Sequence, residues 1–273
     1  MTRIDRRALF ASGAAAALLA ATGTSLADTP KAGGTLRLAV PRDDSLEQVA
    51  RGAVFDTLTE IAPDGTLRGE LATGWHTDAH ARVWRFDLRG DAAFHDGVDL
   101  DVADVLPVLG DLGRAEALSL DSVQLELAEG NPGLPFHLAD SRFVISRVGQ
   151  DVTPLRAANG TGCYRVERAE DDRHFLGRKV TGHYKDGMAG WAETVEIIVI
   201  PDARVRAEAL RDGYVDIAAL PAGEDLKGQR SLRYHPSEAD MALAVAAHVG
   251  MPRQIGRASA LDDGRIAERW WCA

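Results

Sequence analysis

The chain has 273 residues, a formal net charge of −10 at pH 7 and only two cysteines. Its acidic balance argues against a nucleic-acid partner and suits a protein kept soluble by its charge. The length is enough for a sizeable core in one large or two small domains, and no Cys/His cluster has zinc spacing.

Arg3, Arg6 and Arg7 open the sequence, a weakly apolar run follows from Leu9 to Ala21, and Ser25-Leu26-Ala27 offers small residues to a signal peptidase. That order is an export signal with cleavage near Ala27, because the apolar run is too short to span a bilayer. Asp5-Arg6-Arg7-Ala8-Leu9-Phe10 has the form of a twin-arginine signal; the alternative is a general-secretion signal holding two adjacent arginines. Removing residues 1–27 leaves 246 residues with a formal charge of −12.

Gly34 to Pro41 is predicted to form a strand with Leu36, Leu38 and Val40 on one face. Arg42-Asp43-Asp44 ends it. Ser45 is the expected N-cap of the next helix, with Gln48 in capping-box position. That helix presents Leu46, Val49, Ala50, Ala53 and Phe55 at helical spacing. Pro63-Asp64-Gly65 is a turn signal. Trp84, Phe86 and Leu88 alternate with Arg85, Asp87 and Arg89, the pattern of a half-buried strand. Phe94-His95-Asp96-Gly97 follows as a turn, in which His95 and Asp96 are expected to be structural. Val102 to Leu109 is a short helix started near Asp101, and Val123, Leu125 and Leu127 alternate as another strand. Val195 to Ile200 is nearly continuous apolar, as in a strand buried on both faces. Asp202 starts a helix that Gly213 stops, and Tyr214 to Leu220 is a strand. This β-α-β unit implies a parallel pair with a right-handed crossover.

The inventory of reactive motifs is thin. No nucleophile elbow, phosphate-binding Gly-x-x-x-x-Gly-Lys or His-Glu-x-x-His is present, so no catalytic residue, metal ligand or cofactor is expected. His76 and His80 flank a turn. Asn159-Gly160-Thr161-Gly162 is a tight loop that can present backbone N–H groups to a ligand.

Several segments together resemble one family, the extracytoplasmic solute-binding proteins of peptide- and nickel-type ABC importers. They are Gly33-Gly34-Thr35-Leu36-Arg37, Phe55-Asp56-Thr57-Leu58 with Asp64-Gly65, and Leu71-Ala72-Thr73-Gly74-Trp75. They continue with Phe94-His95-Asp96-Gly97 followed by Ala103-Asp104-Val105, then Gly160-Thr161-Gly162-Cys163-Tyr164, where Cys163 replaces a proline, and the run Ala209 to Ile217. Leu261 to Arg269 resembles the start of a later helix of the family. The resemblance implies an α/β, periplasmic-binding-protein-like main lobe (34–54 and 147–250) with an inserted α+β subdomain (55–146), a C-terminal tail (251–273), and a second lobe largely absent.

The function so implied is periplasmic capture of a peptide-like or other small solute, without catalysis, for an ABC permease and ATPase. The alternative is an interaction or assembly module derived from such a protein, or a truncated product. The candidate ligand-binding residues are Arg42, Asp43, Asp44, Asn159, Gly160, Thr161 and Gly162, because both loops fall at strand C-terminal ends. Trp270 and Trp271 are either packed on the lobe or exposed, and exposed they are a candidate surface for self-association. Whether Cys163 and Cys272 pair is left open.

Overall fold

The structure is a computed structural model and describes residues 29–221, 232–236, 241–252, 261 and 264–272. The export signal of residues 1–27 lies outside the described residues. In chain order, β1 (Thr35–Val40) and α1 (Ser45–Val54) come first, then a hairpin of β2 (Thr59–Ile61) and β3 (Leu67–Gly69). β4 (Ala72–Thr77), β5 (Val83–Leu88), α2 (Val102–Gly110), β6 (Arg114–Ala117), β7 (Ser122–Glu126) and α3 (Leu134–His137) follow. Then come β8 (Tyr164–Glu170), β9 (His174–Lys179), β10 (Thr194–Val199), α4 (Ala203–Arg211), β11 (Ile217–Pro221), β12 (Leu232–Pro236) and β13 (Met241–Ala246). The chain closes with β14 (Val249–Gly250), α5 (Ile266–Arg269) and β15 (Trp271–Cys272).

The largest sheet has seven strands in the order β12-β13-β11-β1-β10-β9-β8. β1 is parallel to both neighbours, pairing Thr35 to Val40 with Thr194 to Val199 on one side and Leu38 and Ala39 with Ile217 and Ala218 on the other. The β-α-β unit expected from the sequence is present, but β1 lies between its two strands, so β10 and β11 are parallel without pairing directly. Alternation along β1 covers both faces. Leu36, Leu38 and Val40 pack with Leu46, Val49, Ala50 and Ala53 of α1, while Ala39 faces Leu210, Val215, Ala218 and Leu220 on the side of α4. Asp202 starts α4 by accepting from the N–H groups of Arg204 and Val205.

The N-cap of α1 lies one residue before the expected one. Asp44 stands at the N-cap without a side-chain bond, and Ser45, 2% exposed, is already inside the helix. Asp43 takes the local donor instead, accepting from Ser45 N–H at 2.8 Å.

A second sheet, β4-β5-β7-β6, is wholly antiparallel. Trp84, Phe86 and Leu88 are buried at 4%, 0% and 7% exposure, as their alternation predicts. They pack with Leu71, Val105, Leu109, Val123 and Leu125 in a second core. α2 begins with a full capping box, Asp101 to the N–H of Ala103 and Asp104 back to the N–H of Asp101. Among the described residues no helix is long and apolar enough to cross a membrane.

The C-terminal segment is docked. Ile266, Ala267 and Trp270 are 0% exposed and belong to the core of the seven-stranded sheet, and Trp271 is 3% exposed. Of the two alternatives for the aromatic pair, packed on the lobe or exposed, the structure has the packed one: both rings are buried. Cys163 and Cys272 are both free thiols.

Candidate functional site

β1 ends at Val40, and Arg42, Asp43 and Asp44 carry the chain from its C-terminal end into α1, all three exposed. Asp43 and Asp44 line a cavity of about 530 Å³ with Leu46, Glu47, Thr153, Pro154, Leu155, Asp171 and Asp172. Arg42 lies beside it and is not among the lining residues. The wall is acidic. Two of its carboxylates have cationic partners, Asp171 with Arg156 at 3.0 Å and Glu47 with Arg51 one helical turn on.

The loop Asn159 to Gly162 does not line that cavity. Its polar groups turn inward. Thr161 is 0% exposed and its hydroxyl donates to Asp56 Oδ2 at 2.9 Å. The N–H of Gly162 donates to the carbonyl of Val54 at 2.8 Å. Its three successive carbonyls are all accounted for. That of Gly160 accepts from the His95 N–H at 2.9 Å, that of Thr161 from His183 Nε2 at 2.7 Å, and that of Gly162 from His95 Nε2 at 2.8 Å. Asn159 donates to Asp96 Oδ2 and Gln150 Oε1, both at 3.0 Å, and Arg147 reaches the same Asp96 oxygen at 2.6 Å. A Cβ at Gly160 would stand 2.0 Å from the Val54 carbonyl oxygen, so glycine is required there by close approach. The Phe-His-Asp-Gly turn is thus the clamp that seats this loop against the end of α1.

Sequence reading missed the most highly charged feature of the interior. Lys185 is 7% exposed, and its ammonium donates to Asp56 at 2.8 Å, to Glu268 at 2.9 Å and to Glu70. Arg265 forks onto both oxygens of Glu70, with Nη2 at 2.8 Å from Oε2, and also reaches Glu268 at 3.1 Å and the Thr57 hydroxyl at 2.9 Å. Arg269 closes the rim through the carbonyl of Ile61 at 2.6 Å and Glu60 at 3.5 Å. The oxygens of Asp56, Glu70 and Glu268 lie within 4.8 Å of one another, a spacing that suits a cation, and the Lys185 ammonium occupies that place. Burial alone would raise the Glu70 carboxyl, but Arg265 and Lys185 overrule it and hold it well below the carboxylate range. Glu268 is lowered for the same reasons, whereas Glu60 is raised by burial and by its acidic neighbours Glu70 and Glu268. The Cys163 thiol, packed beside Glu268 and His183, is pushed well up by burial. The signal available in the sequence was positional: Glu70 directly precedes the apolar Leu71-Ala72, and Arg265 and Glu268 flank Ile266 and Ala267 at i,i+3.

A second cavity of about 470 Å³ opens beside this cluster, walled by Tyr184, Trp191, Met188, Trp271, Arg68 and Arg89 among others. The Arg89 guanidinium lies 3.7 Å over the Tyr184 ring.

A mixed sheet with helices on both faces, a separate antiparallel sheet with its own core, and a cavity at the C-terminal end of a central parallel strand define a periplasmic-binding-protein fold. Residues 66–240 match the family described as bacterial extracellular solute-binding proteins, family 5, and the chain belongs to that family. Solved structures agree on the fold. One is AgaA from A. tumefacien R10 in complex with agropinic acid, 22% identical over 75% of this chain and 48% of that one, with a TM-score of 0.67. Another is DppA from Helicobacter pylori in complex with the peptide STSA, 20% identical over 76% and 51%, TM-score 0.66. A third is NikZ from Campylobacter jejuni in complex with Ni(L-His), 18% identical over 74% and 47%, TM-score 0.63. The chain thus spans about half the length of the structures it matches. A search of curated proteins gives no match.

Proposed function

We propose that this chain is an exported, non-enzymatic solute-capturing component of an ABC importer, and that its solute, peptide-like or another small molecule, meets the protein at the cavity beyond β1. One observation carries the reading: in a chain of this family, Asp43 and Asp44 leave the C-terminal end of the central parallel strand and line a cavity of about 530 Å³. Ligands of open α/β sheets sit at that end, and the volume suits a small molecule. Arg42, beside the cavity, is placed to meet a solute group at its mouth. The 159–162 loop is tied through Asn159 to Gln150, just ahead of the cavity-lining Thr153 to Leu155. The solved neighbours hold agropinic acid, the peptide STSA and Ni(L-His), so the fold is compatible with several solute classes. Delivery to a permease and ATPase, and cleavage of the leader near Ala27, complete the reading.

The test is a thermal-shift screen of the purified mature protein against peptides, amino acids, sugars and nickel chelates. A ligand that binds only the folded state stabilises it by about 2.7 kcal/mol at roughly 100 times its dissociation constant. One solute class should raise the melting temperature saturably, and D43N with D44N should diminish that shift. A flat response across all four classes would sink the proposal.

A further inference from the structure

We propose that His95, with the carbonyls of Gly160 and Gly162 that it holds, forms an acid-released latch on the loop that follows the cavity-lining residues Thr153 to Leu155. Its bearing on solute capture rests on the function proposed above. His95 is anchored twice, by its backbone N–H to Gly160 and by its ring Nε2 to Gly162 at 2.8 Å. A carbonyl only accepts, so Nε2 carries the proton and Nδ1 is bare. That Nδ1 is sealed from solvent and has no hydrogen-bond partner among the described residues. A second proton can enter only at Nδ1, where it would place a charge in a buried position with no acceptor.

The groups facing the ring come from three directions: Asp56 after α1, Arg165 on β8, and His183 from the loop after β9. Burial is the largest influence and lowers the basicity of His95. The Gly162 carbonyl and the Asp56 carboxylate oppose it, and His183 and Arg165 act with it. His183 is the second clasp. Its Nε2 holds the Thr161 carbonyl while its Nδ1 accepts the Lys185 N–H at 3.1 Å.

The sign follows from linkage. The unfolded chain takes up the His95 proton at the ordinary histidine value of about 6.5, before the latched ring does. The latch is at full strength above that value and weakens as pH falls below it. When the ring leaves, Gly162 loses its partner. The freed loop is joined through Asn159 to Gln150, and the segment between them carries Thr153, Pro154 and Leu155, which line the cavity.

The imidazole nitrogens of the mature protein, followed by nitrogen-15 NMR, read the latch directly. His95 and His183 should both show the Nε2-protonated tautomer at neutral pH, and His95 should titrate below about 6.5. Hydrogen exchange by mass spectrometry, corrected for the intrinsic effect of pH, should accelerate about tenfold in peptides covering 150–162 between about pH 7.5 and 5.5, while peptides from β6 and β7 stay unchanged. H95Q keeps a donor near Nε2 and cannot titrate, so its 150–162 peptides should lose that pH response. A His95 ring that titrates at or above the ordinary value, or an H95Q protein with the wild-type response, overturns the latch. If H95Q does not fold, the ring titration of the wild type decides alone. A solute screen without a hit, alongside a 150–162 segment that still answers to pH, overturns the function and supports the latch.

Discussion

Arg265 holds both carboxylate oxygens of Glu70 from a point 195 positions further along the chain. A bidentate pair of this kind fixes direction as well as distance. It places α5 against the β2–β3 hairpin, and the neighbouring Lys185 ties the same carboxylate to Asp56 and Glu268.

Removing the central cation should be costly. K185M leaves three buried carboxylates facing one another, and breaking a buried ion pair in this way costs about 3–5 kcal/mol. Urea denaturation should show that loss. K185M combined with E70Q should lose less than the two single variants together, because each change relieves part of the charge the other leaves.

Acid should dismantle the cluster with a definite sign. Glu70 and Glu268 are held below the ordinary carboxylate value by Arg265 and Lys185 against the opposing effect of burial. Their contribution is fully present above the unfolded carboxylate value of about 4.3 and is lost as pH falls through the lower folded values. Glu60 is raised, so it acts in the opposite sense, and its penalty grows as pH climbs above the same unfolded value. E60Q should therefore stabilise the protein near neutral pH and change little at acid pH, as read from urea midpoints at a series of pH values.

Trp270 is fully buried, and truncation should cost stability through lost packing. W270A should cost about 3–5 kcal/mol, the range for removing a large buried aromatic. Sedimentation should give the same oligomeric state for W270A and the wild type. A variant that changed state without losing stability would contradict the buried position of the ring.

Gly250 pairs with Trp271 across β14 and β15, and a Cβ there would stand 1.8 Å from the indole nitrogen. G250A should expel the ring or shift the strand, at a cost of about 1–3 kcal/mol. A red-shifted tryptophan emission in G250A, absent from W271F/G250A, would locate the disturbance.

Much of the fold was legible because its signals are local. The alternation of Trp84, Phe86 and Leu88, the periodic stripe of α1, Asp202 at the start of α4 and Gly213 after its end each act within a few residues. What was not legible is long-range. Nothing near residue 195 or 217 says that residue 38 will come between them. The placement of Lys185 depends on Asp56, Glu70 and Glu268, each unremarkable in its own stretch. The capping box at Ser45 failed because burying that residue inside the first turn competes with using its hydroxyl as a cap. At the site, Asp43 and Asp44 reach the cavity wall, whereas Asn159 to Gly162 present a glycine pattern that serves close packing against Val54.

The position of β1 carries a consequence for how the protein is made. Its apolar faces lie at residues 35–40, yet the strands that flank it begin at Thr194 and Ile217. A nascent chain therefore holds Leu36, Leu38 and Val40 without their sheet neighbours until residues 194–221 have been synthesised. Pairing of β1 waits for those late strands, and until they arrive its apolar residues need shielding from other chains.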